Sequence, residues 1–382
     1  MKMRLSVLHL INGYHVGGDN TLACNIASGL SNKDFQPHVC AMFQDNDPAT
    51  ASRFQAQLAL AGVDMHRLEK VRHRKSLGVL LRLRRLVHEL GVHIIHSHGN
   101  SPDLHAAIAM AGSASPILIR TLHSTDFDFH FGHKAMERVL RGRFSASVAI
   151  SPGVRDWALA FGLSPNSLQI IENGIQLGDS RPLPVTRESL GLEALDDCHL
   201  LVSVGRMEED RVKGHEYLLE AMSLLAGRGR RFHLLMVGDG ALRPQYEARC
   251  RQPDLAGRVT FLGRRHDVAA ILGACGIFVT AAVREGFGLA VCEAGAAGLP
   301  VIATDIPGLD GVIQHGVDGL LVPPRAPEAL AQAVERLLDD PLGAQTLART
   351  LEQKVRTRFT LARVVEEHAA LYQRLARERR IL

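Results

Sequence analysis

Arg284-Glu285-Gly286-Phe287-Gly288-Leu289-Ala290-Val291-Cys292-Glu293 is the stretch on which the reading of this chain turns. The apolar run 276–280 before it reads as a buried strand, and the run after Gly288 is made of good helix formers. Strand, glycine turn and helix in succession aim free backbone N–H groups and a positive helix end at whatever occupies the turn. Glu285 falls in the turn and Glu293 on the second turn of the helix. N–H groups suit a phosphate, and carboxylates suit sugar hydroxyls, so a nucleotide carrying a sugar satisfies both. An ordinary strand-to-helix loop with one solvated glutamate fits the same ten residues.

The chain has 382 residues, 46% hydrophobic and 22% charged, which is long for one domain and ordinary for a globular pair. No apolar run approaches the ~20 residues needed to span a bilayer. The N-terminal run 1–11 lacks a cleavage site and is expected to be a strand, so the protein is expected in the cytoplasm. Six cysteines form no Cys-x-x-Cys pair and mostly sit in apolar segments, which predicts reduced thiols. The net charge of +4 lies in the first half, with most of the nineteen histidines, so that half is the one expected to meet an anionic surface or substrate.

Short apolar runs alternate with helical stretches throughout. Strands are expected at 4–11, 37–43, 64–68, 93–96, 117–121, 147–150 and 168–171, with helices between them, among them 20–30, 77–90, 104–111, 134–141 and 152–161. After a proline-rich stretch without periodicity the alternation restarts, with strands at 199–204, 232–237, 258–262, 276–280, 300–303 and 319–322. This predicts an α/β protein of two doubly wound domains facing across a cleft: 1–177, a linker 178–197, and 198–360. A last helix, 361–382, is expected to pack back on the first domain. Ligands in such sheets bind at the carboxyl ends of strands.

In chain order come Gly17-Gly18 after the first strand, His96-Ser97-His98-Gly99, Thr121-Leu122-His123, Ser151-Pro152-Gly153, Glu172-Asn173-Gly174, Gly205-Arg206, Lys213-Gly214, Gly238-Asp239-Gly240, Leu262-Gly263 and the Glu285-to-Glu293 pair. Each is weak alone. In this order they resemble the GT-B glycosyltransferases, specifically glycosyltransferase family 4, along nearly the whole chain. The resemblance implies a retaining transfer of sugar from a nucleotide diphosphate sugar to a hydroxyl. UDP is expected first, on family frequency, and a bacterial envelope polysaccharide or lipopolysaccharide is the implied product context.

The resemblance also implies roles. Arg206 and Lys213 would neutralise the diphosphate leaving group without a metal. Glu285 would face the donor sugar and Glu293 the ribose. Gly286, Phe287, Gly288 and Leu289 would offer backbone N–H groups, with Gly205, Gly238, Gly263 and Asp267 elsewhere in the donor site. Gly17 and Gly18 would bring a helix start to the diphosphate; the family often has Glu just beyond, and here Asp19 follows. His123 occupies the place of a functional histidine, able to bind a sugar hydroxyl or orient a reacting group. His98, Phe127 and Phe129 are the acceptor-side candidates. No ligand cluster in the sequence calls for a metal, so no cofactor is expected.

Basic residues Arg72, Arg74, Lys75, Arg82, Arg84 and Arg85 surround a helix whose Val79, Leu83, Leu86 and Leu90 share a face. A core-facing helix and a surface resting on anionic lipid both fit, the latter with a lipid-linked acceptor. A related epimerase or phosphorylase is the nearest alternative activity. An oxidoreductase is disfavoured because 12–18 has the wrong glycine spacing for its fingerprint. Nucleic-acid binding lacks a recognised module.

Overall fold

The computed structural model describes residues 4–14, 17–31, 34–43, 48–70, 77–113, 115–124, 137, 140, 142–178, 185–190 and 198–382. The expected helix at 134–141 lies almost wholly outside these residues, as do Phe127 and Phe129. The chain forms two units, Met1–Asn173 with Leu361–Leu382, and Gly174–Thr360. The first break falls four residues before 177. Gly174 and Ile175 belong with the second unit because Ile175 pairs with Thr360 and donates its N–H to the Phe359 carbonyl at 2.9 Å.

The first unit holds seven parallel strands: β1 (Leu5–Ile11), β2 (Phe35–Phe43), β3 (Asp64–Lys70), β4 (Ile94–His98), β5 (Ile117–Leu122), β6 (Ala146–Ala149) and β7 (Leu168–Ile170), in the order β3-β2-β1-β4-β5-β6-β7. Every residue of β1 is buried, as a parallel sheet covered on both faces requires. Side chains alternate between the faces. Leu8, Leu10, Cys40 and Met42 share a core with α3 (Leu77–Glu89) and α4 (Asn100–Ala109). Val39 and Ala41 face α1 (Gly18–Leu30) and α2 (Pro48–Leu60). The fourth strand runs to His98, two residues beyond the expected 96, because alternation continues through buried Ser97 and His98. Helix α5 (Pro152–Ala160) starts on Ser151, whose Oγ accepts the Val154 N–H, with proline at the first position.

The second unit holds six parallel strands: β8 (His199–Val204), β9 (Phe232–Val237), β10 (Val259–Gly263), β11 (Ile277–Val279), β12 (Val301–Thr304) and β13 (Leu320–Val322), in the order β10-β9-β8-β11-β12-β13. Helices α6 (His215–Gly227), α7 (Arg243–Cys250), α8 (Val268–Gly273), α9 (Leu289–Ala296), α10 (Pro327–Asp339) and α11 (Pro341–Arg358) connect and cover them. The last helix, α12 (Leu361–Glu378), belongs to the first unit, where Val365 fills the space left by Gly29 on α1. Cys24, Cys40, Cys250 and Cys292 are buried, and none of the six cysteines is in a disulfide.

In each sheet the strand order reverses once, between β1 and β4 and between β8 and β11. The connections after those strands leave in opposite directions and open a crevice at their carboxyl ends, where doubly wound sheets bind ligands.

Candidate active site

In the second unit the crevice lies between the loops after β8 and β11. Gly205 and Arg206 follow the first strand, and the 281–288 segment follows the second. Lys213 Nζ forms an ion pair with Glu285 Oε1, both largely shielded from solvent. Arg206 pairs with Asp210 and is half exposed, leaving its guanidinium available to an incoming anion. The path of this loop depends on glycine. Gly238 has φ +138°, and a side chain there would collide with the Gly205 carbonyl; Gly214 has φ +61°, and one there would strike the Ala281 carbonyl. Buried His215 donates from Nε2 to the Arg206 carbonyl at 3.1 Å, and burial lowers its pKa to about 4, so it acts as a neutral clamp.

Helix α9 begins on Gly288 in the left-handed conformation, with no side chain capping its first N–H groups. Those donors and the helix dipole face the end of the loop that carries Glu285. Phe287 itself is turned inward, edge-on to Phe359 with ring centroids 5.3 Å apart, so it contributes backbone and anchors the turn. Glu293, on the second turn, is half-buried, and its carboxylate makes no hydrogen bond or ion pair among the described residues; burial pushes that carboxyl up to about 7. Asp267 precedes α8 and pairs with Arg265 at 2.6 Å, which holds its carboxyl below the usual range. Gly263 ends β10 with φ +65°, and the Arg243 guanidinium lies against it.

In the first unit the equivalent crevice is bordered by Gly17-Gly18 at the start of α1 and by the loops after β4 and β5. Gly17 is the extended residue before α1, and no side chain caps that helix. Asp19 stands in its first turn, close enough to His123 that its charge partly offsets the depression of the His123 pKa by burial. His123 Nε2 lies 3.1 Å from His98 Nδ1, and His98 Nε2 lies 3.2 Å from His9 Nδ1. His98, named as an acceptor-side candidate, is fully buried behind His123.

His9, His96 and His98 bring three ring nitrogens within 4.8 Å of one another, a cluster that the sequence reading did not single out. His96 uses both of its ring nitrogens within the fold. His96 bonds Thr121 Oγ1 at 2.7 Å and Tyr372 on α12 at 2.5 Å, and its ring lies 4.3 Å from that of His98 at a 36° tilt. Among the described residues no carboxylate joins the group. Burial lowers the pKa of His96 and His98 well below the ordinary range, and that of His9 to about 3. The signal was present in the sequence: His-x-His on a strand puts both rings on one face, and register places His9 beside His96.

Two parallel sheets of seven and six strands, each with its own crevice, are the architecture of the GT-B glycosyltransferases. The crystal structure of the Anabaena protein Alr3699/HepE in complex with UDP-glucose superimposes with a TM-score of 0.81 at 20% identity, over 97% of this chain and 100% of that one. Residues 16–179 match the family described as Glycosyltransferase Family 4, and residues 198–340 match Glycosyl transferases group 1. The chain therefore belongs to the glycosyltransferases of family 4 and group 1 type. Among sequence relatives, the alpha-D-kanosaminyltransferase of Streptomyces kanamyceticus is 33% identical over 50% of this chain and 48% of its own length. The lipopolysaccharide core biosynthesis glycosyltransferase LpsE of Rhizobium meliloti is 30% identical over 50% and 54%. The chain thus spans about half the length of these two relatives.

Proposed function

We propose that this protein is a retaining glycosyltransferase that moves a sugar from a nucleoside diphosphate sugar, UDP-sugar first, to a hydroxyl of a glycan or lipid-linked acceptor in envelope polysaccharide or lipopolysaccharide synthesis. The observation that carries the reading is the second unit's crevice, which joins Arg206, Lys213 and the uncapped start of α9 to Glu285 and the unpartnered Glu293. The cations and N–H groups suit a diphosphate, and the carboxylates suit hydroxyls. The UDP-glucose bound to the Anabaena protein and the lipopolysaccharide role named for the Rhizobium relative point the same way.

In the reaction the anomeric carbon exchanges its bond to the diphosphate oxygen for one to the acceptor oxygen. The acceptor's proton leaves to the released diphosphate or to water. Charge builds on the departing oxygens, so the main catalytic term is electrostatic stabilisation by Arg206, Lys213 and the start of α9. We assign Glu293 to the ribose hydroxyls, Glu285 to the donor sugar and His123 to a sugar hydroxyl. No metal enters this scheme, since the two cations carry the neutralisation. The first unit takes the acceptor.

A peripheral membrane contact fits the surface of α3. Leu77 and Leu81, one turn apart, are 72% and 60% exposed, and Ile108 on neighbouring α4 is 46% exposed. Arg84 and Arg85 are exposed on the same helix. Arg82 is tied to the Leu68 carbonyl, and Arg72, Arg74 and Lys75 lie outside the described residues. Among the described residues no helix is long and apolar enough to cross a membrane.

Calorimetry with UDP, GDP and ADP, followed by a donor-hydrolysis screen with and without EDTA, tests the proposal. Micromolar binding of one diphosphate and slow, EDTA-insensitive donor cleavage are expected. Absence of binding to every nucleoside diphosphate overturns it. Interconversion of a nucleotide sugar with no acceptor points to an epimerase instead.

A further inference from the structure

We propose that His9 and His98 form with His123 a directional chain of hydrogen bonds that holds His123 as the neutral tautomer carrying its proton on Nδ1. The residue then presents an N–H donor, and not a lone pair, to the ligand. This inference rests on the assignment of His123 to the sugar site.

The direction follows from the far end of the chain. Both ring nitrogens of His98 are in use, Nε2 toward His9 Nδ1 at 3.2 Å and Nδ1 toward His123 Nε2 at 3.1 Å. His9 is fully buried, and its Nε2 has no partner among the described residues. A buried N–H without an acceptor is the costlier orphan, so the proton of His9 belongs on Nδ1, where His98 accepts it. His98 Nε2 is then an acceptor, and its single proton sits on Nδ1 and is donated to His123 Nε2. His123 Nε2 is an acceptor in turn, and its own proton is left on Nδ1. One orphaned lone pair on His9 thus sets three tautomers.

Position and charge agree with this ordering. Deep burial keeps the His9 and His98 rings neutral, so neither donates from both nitrogens at once. His9 sits on β1 beside His96 of β4, and His98 sits beside Thr121 at the end of β5, so backbone register fixes the spacing of the rings. His96 is held apart from the chain by Thr121 and Tyr372 and does not compete for it. Asp19 lies near His123, and a carboxylate favours an N–H over a lone pair on the ring that faces it. Sugar hydroxyls both donate and accept, so an imidazole of fixed tautomer selects which hydroxyl oxygen lies against it. His9 and His98 are positioning residues, since they act through His123.

Histidine-selective nitrogen labelling of the full-length protein, with ring nitrogens correlated to carbon-bound protons near neutral pH, reads the tautomer directly. His123→Gln supplies the assignment. The wild-type protein should show His123 with a protonated Nδ1 and an unprotonated Nε2. His98→Leu should shift the His123 proton substantially to Nε2. His98→Asn, which keeps an amide N–H where Nδ1 stood, should restore the wild-type pattern. A protonated Nε2 on His123 in the wild type, or a spectrum unmoved by His98→Leu, overturns the inference. If His98→Leu does not fold, His9→Leu breaks the chain one link earlier and is read in the same way. In transfer assays His98→Leu should lower kcat by on the order of ten- to a hundredfold at little change in donor KM, with recovery in His98→Asn. If the wild type transfers no sugar, the functional reading fails while the spectra still decide the tautomer. If it transfers sugar with the opposite tautomer, this inference alone fails.

Discussion

Lys213 and Glu285, separated by 72 residues of sequence, form an ion pair between the loops that follow β8 and β11. In the proposed reaction an incoming diphosphate would compete with Glu285 for Lys213. Glu285→Gln should therefore bind free nucleoside diphosphate about two- to fivefold more tightly, the size of a partly exposed ion pair, while sugar transfer slows. Calorimetry beside steady-state kinetics separates the two effects. Weaker diphosphate binding in that variant would show that the pair does not oppose the ligand.

Arg206 is half exposed, and its pair with Asp210 is a surface one. Its loss should cost at most about 1 kcal/mol of stability. The same residue is assigned to the leaving group, where removal of one donor costs on the order of 100-fold in kcat. Arg206→Ala should thus melt close to wild type and turn over far more slowly. Near-normal turnover in the folded variant removes the assignment.

Glu293 titrates at about 7 when folded, above its ordinary 4.5. The folded state then holds a proton that the unfolded state has lost, so this group's contribution to stability falls as pH rises through that window. Glu293→Gln should remove that fall and gain about 1–2 kcal/mol relative to wild type at pH 8. Diphosphate-sugar affinity should move oppositely, rising in wild type as the carboxylate ionises and staying flat in the variant. Thermal melts and binding isotherms from pH 5 to about 8 check both.

The buried histidines give the opposite slope at lower pH. His9, His215 and His368 titrate at about 3, 4 and 4, below the ordinary 6.5, chiefly because they are buried. Unfolding exposes rings that take up protons below 6.5, so stability falls as pH drops from there, by up to about 1.4 kcal/mol per pH unit for each ring. Denaturant titrations between pH 7 and about 4 should show this fall. His368→Gln should shallow it, and an unchanged slope would mean that His368 is protonated in the folded protein.

Gly238 at φ +138° faces the Gly205 carbonyl, whereas Gly227 at the end of α6 has open space around it. Gly238→Ala should cost about 2 kcal/mol or more and weaken diphosphate binding, since the loop bearing Arg206 must move. Gly227→Ala should be neutral or gain ~0.5 kcal/mol. Equal melting temperatures for the two variants would contradict this.

Much of the fold was legible because parallel strands buried on both faces read as short apolar runs and the glycines of the turns punctuate them. The βαβ alternation, the glycine turn before α9 and the two glutamates are local features, and local sequence set them. The elements themselves came within a few residues, and the misplacements fell at ends such as His98, where alternation outlasts the apolar pattern.

What depended on residues distant in sequence waited for the tertiary structure. The sequence offered His98 as an acceptor-side candidate; strand pairing set one of its ring nitrogens against His123 and the other against His9, 89 residues away. It named Lys213 and Glu285 separately; packing of two loops made them a pair. It noted six arginines and lysines near α3; folding tied Arg82 to the Leu68 carbonyl and left Leu77 and Leu81 outside. Local periodicity fixes which face a side chain takes, since that depends on backbone geometry alone. Hydrogen-bond partners, tautomers and shifted titrations depend on which strands become neighbours and how much water they exclude, and only the folded chain decides those.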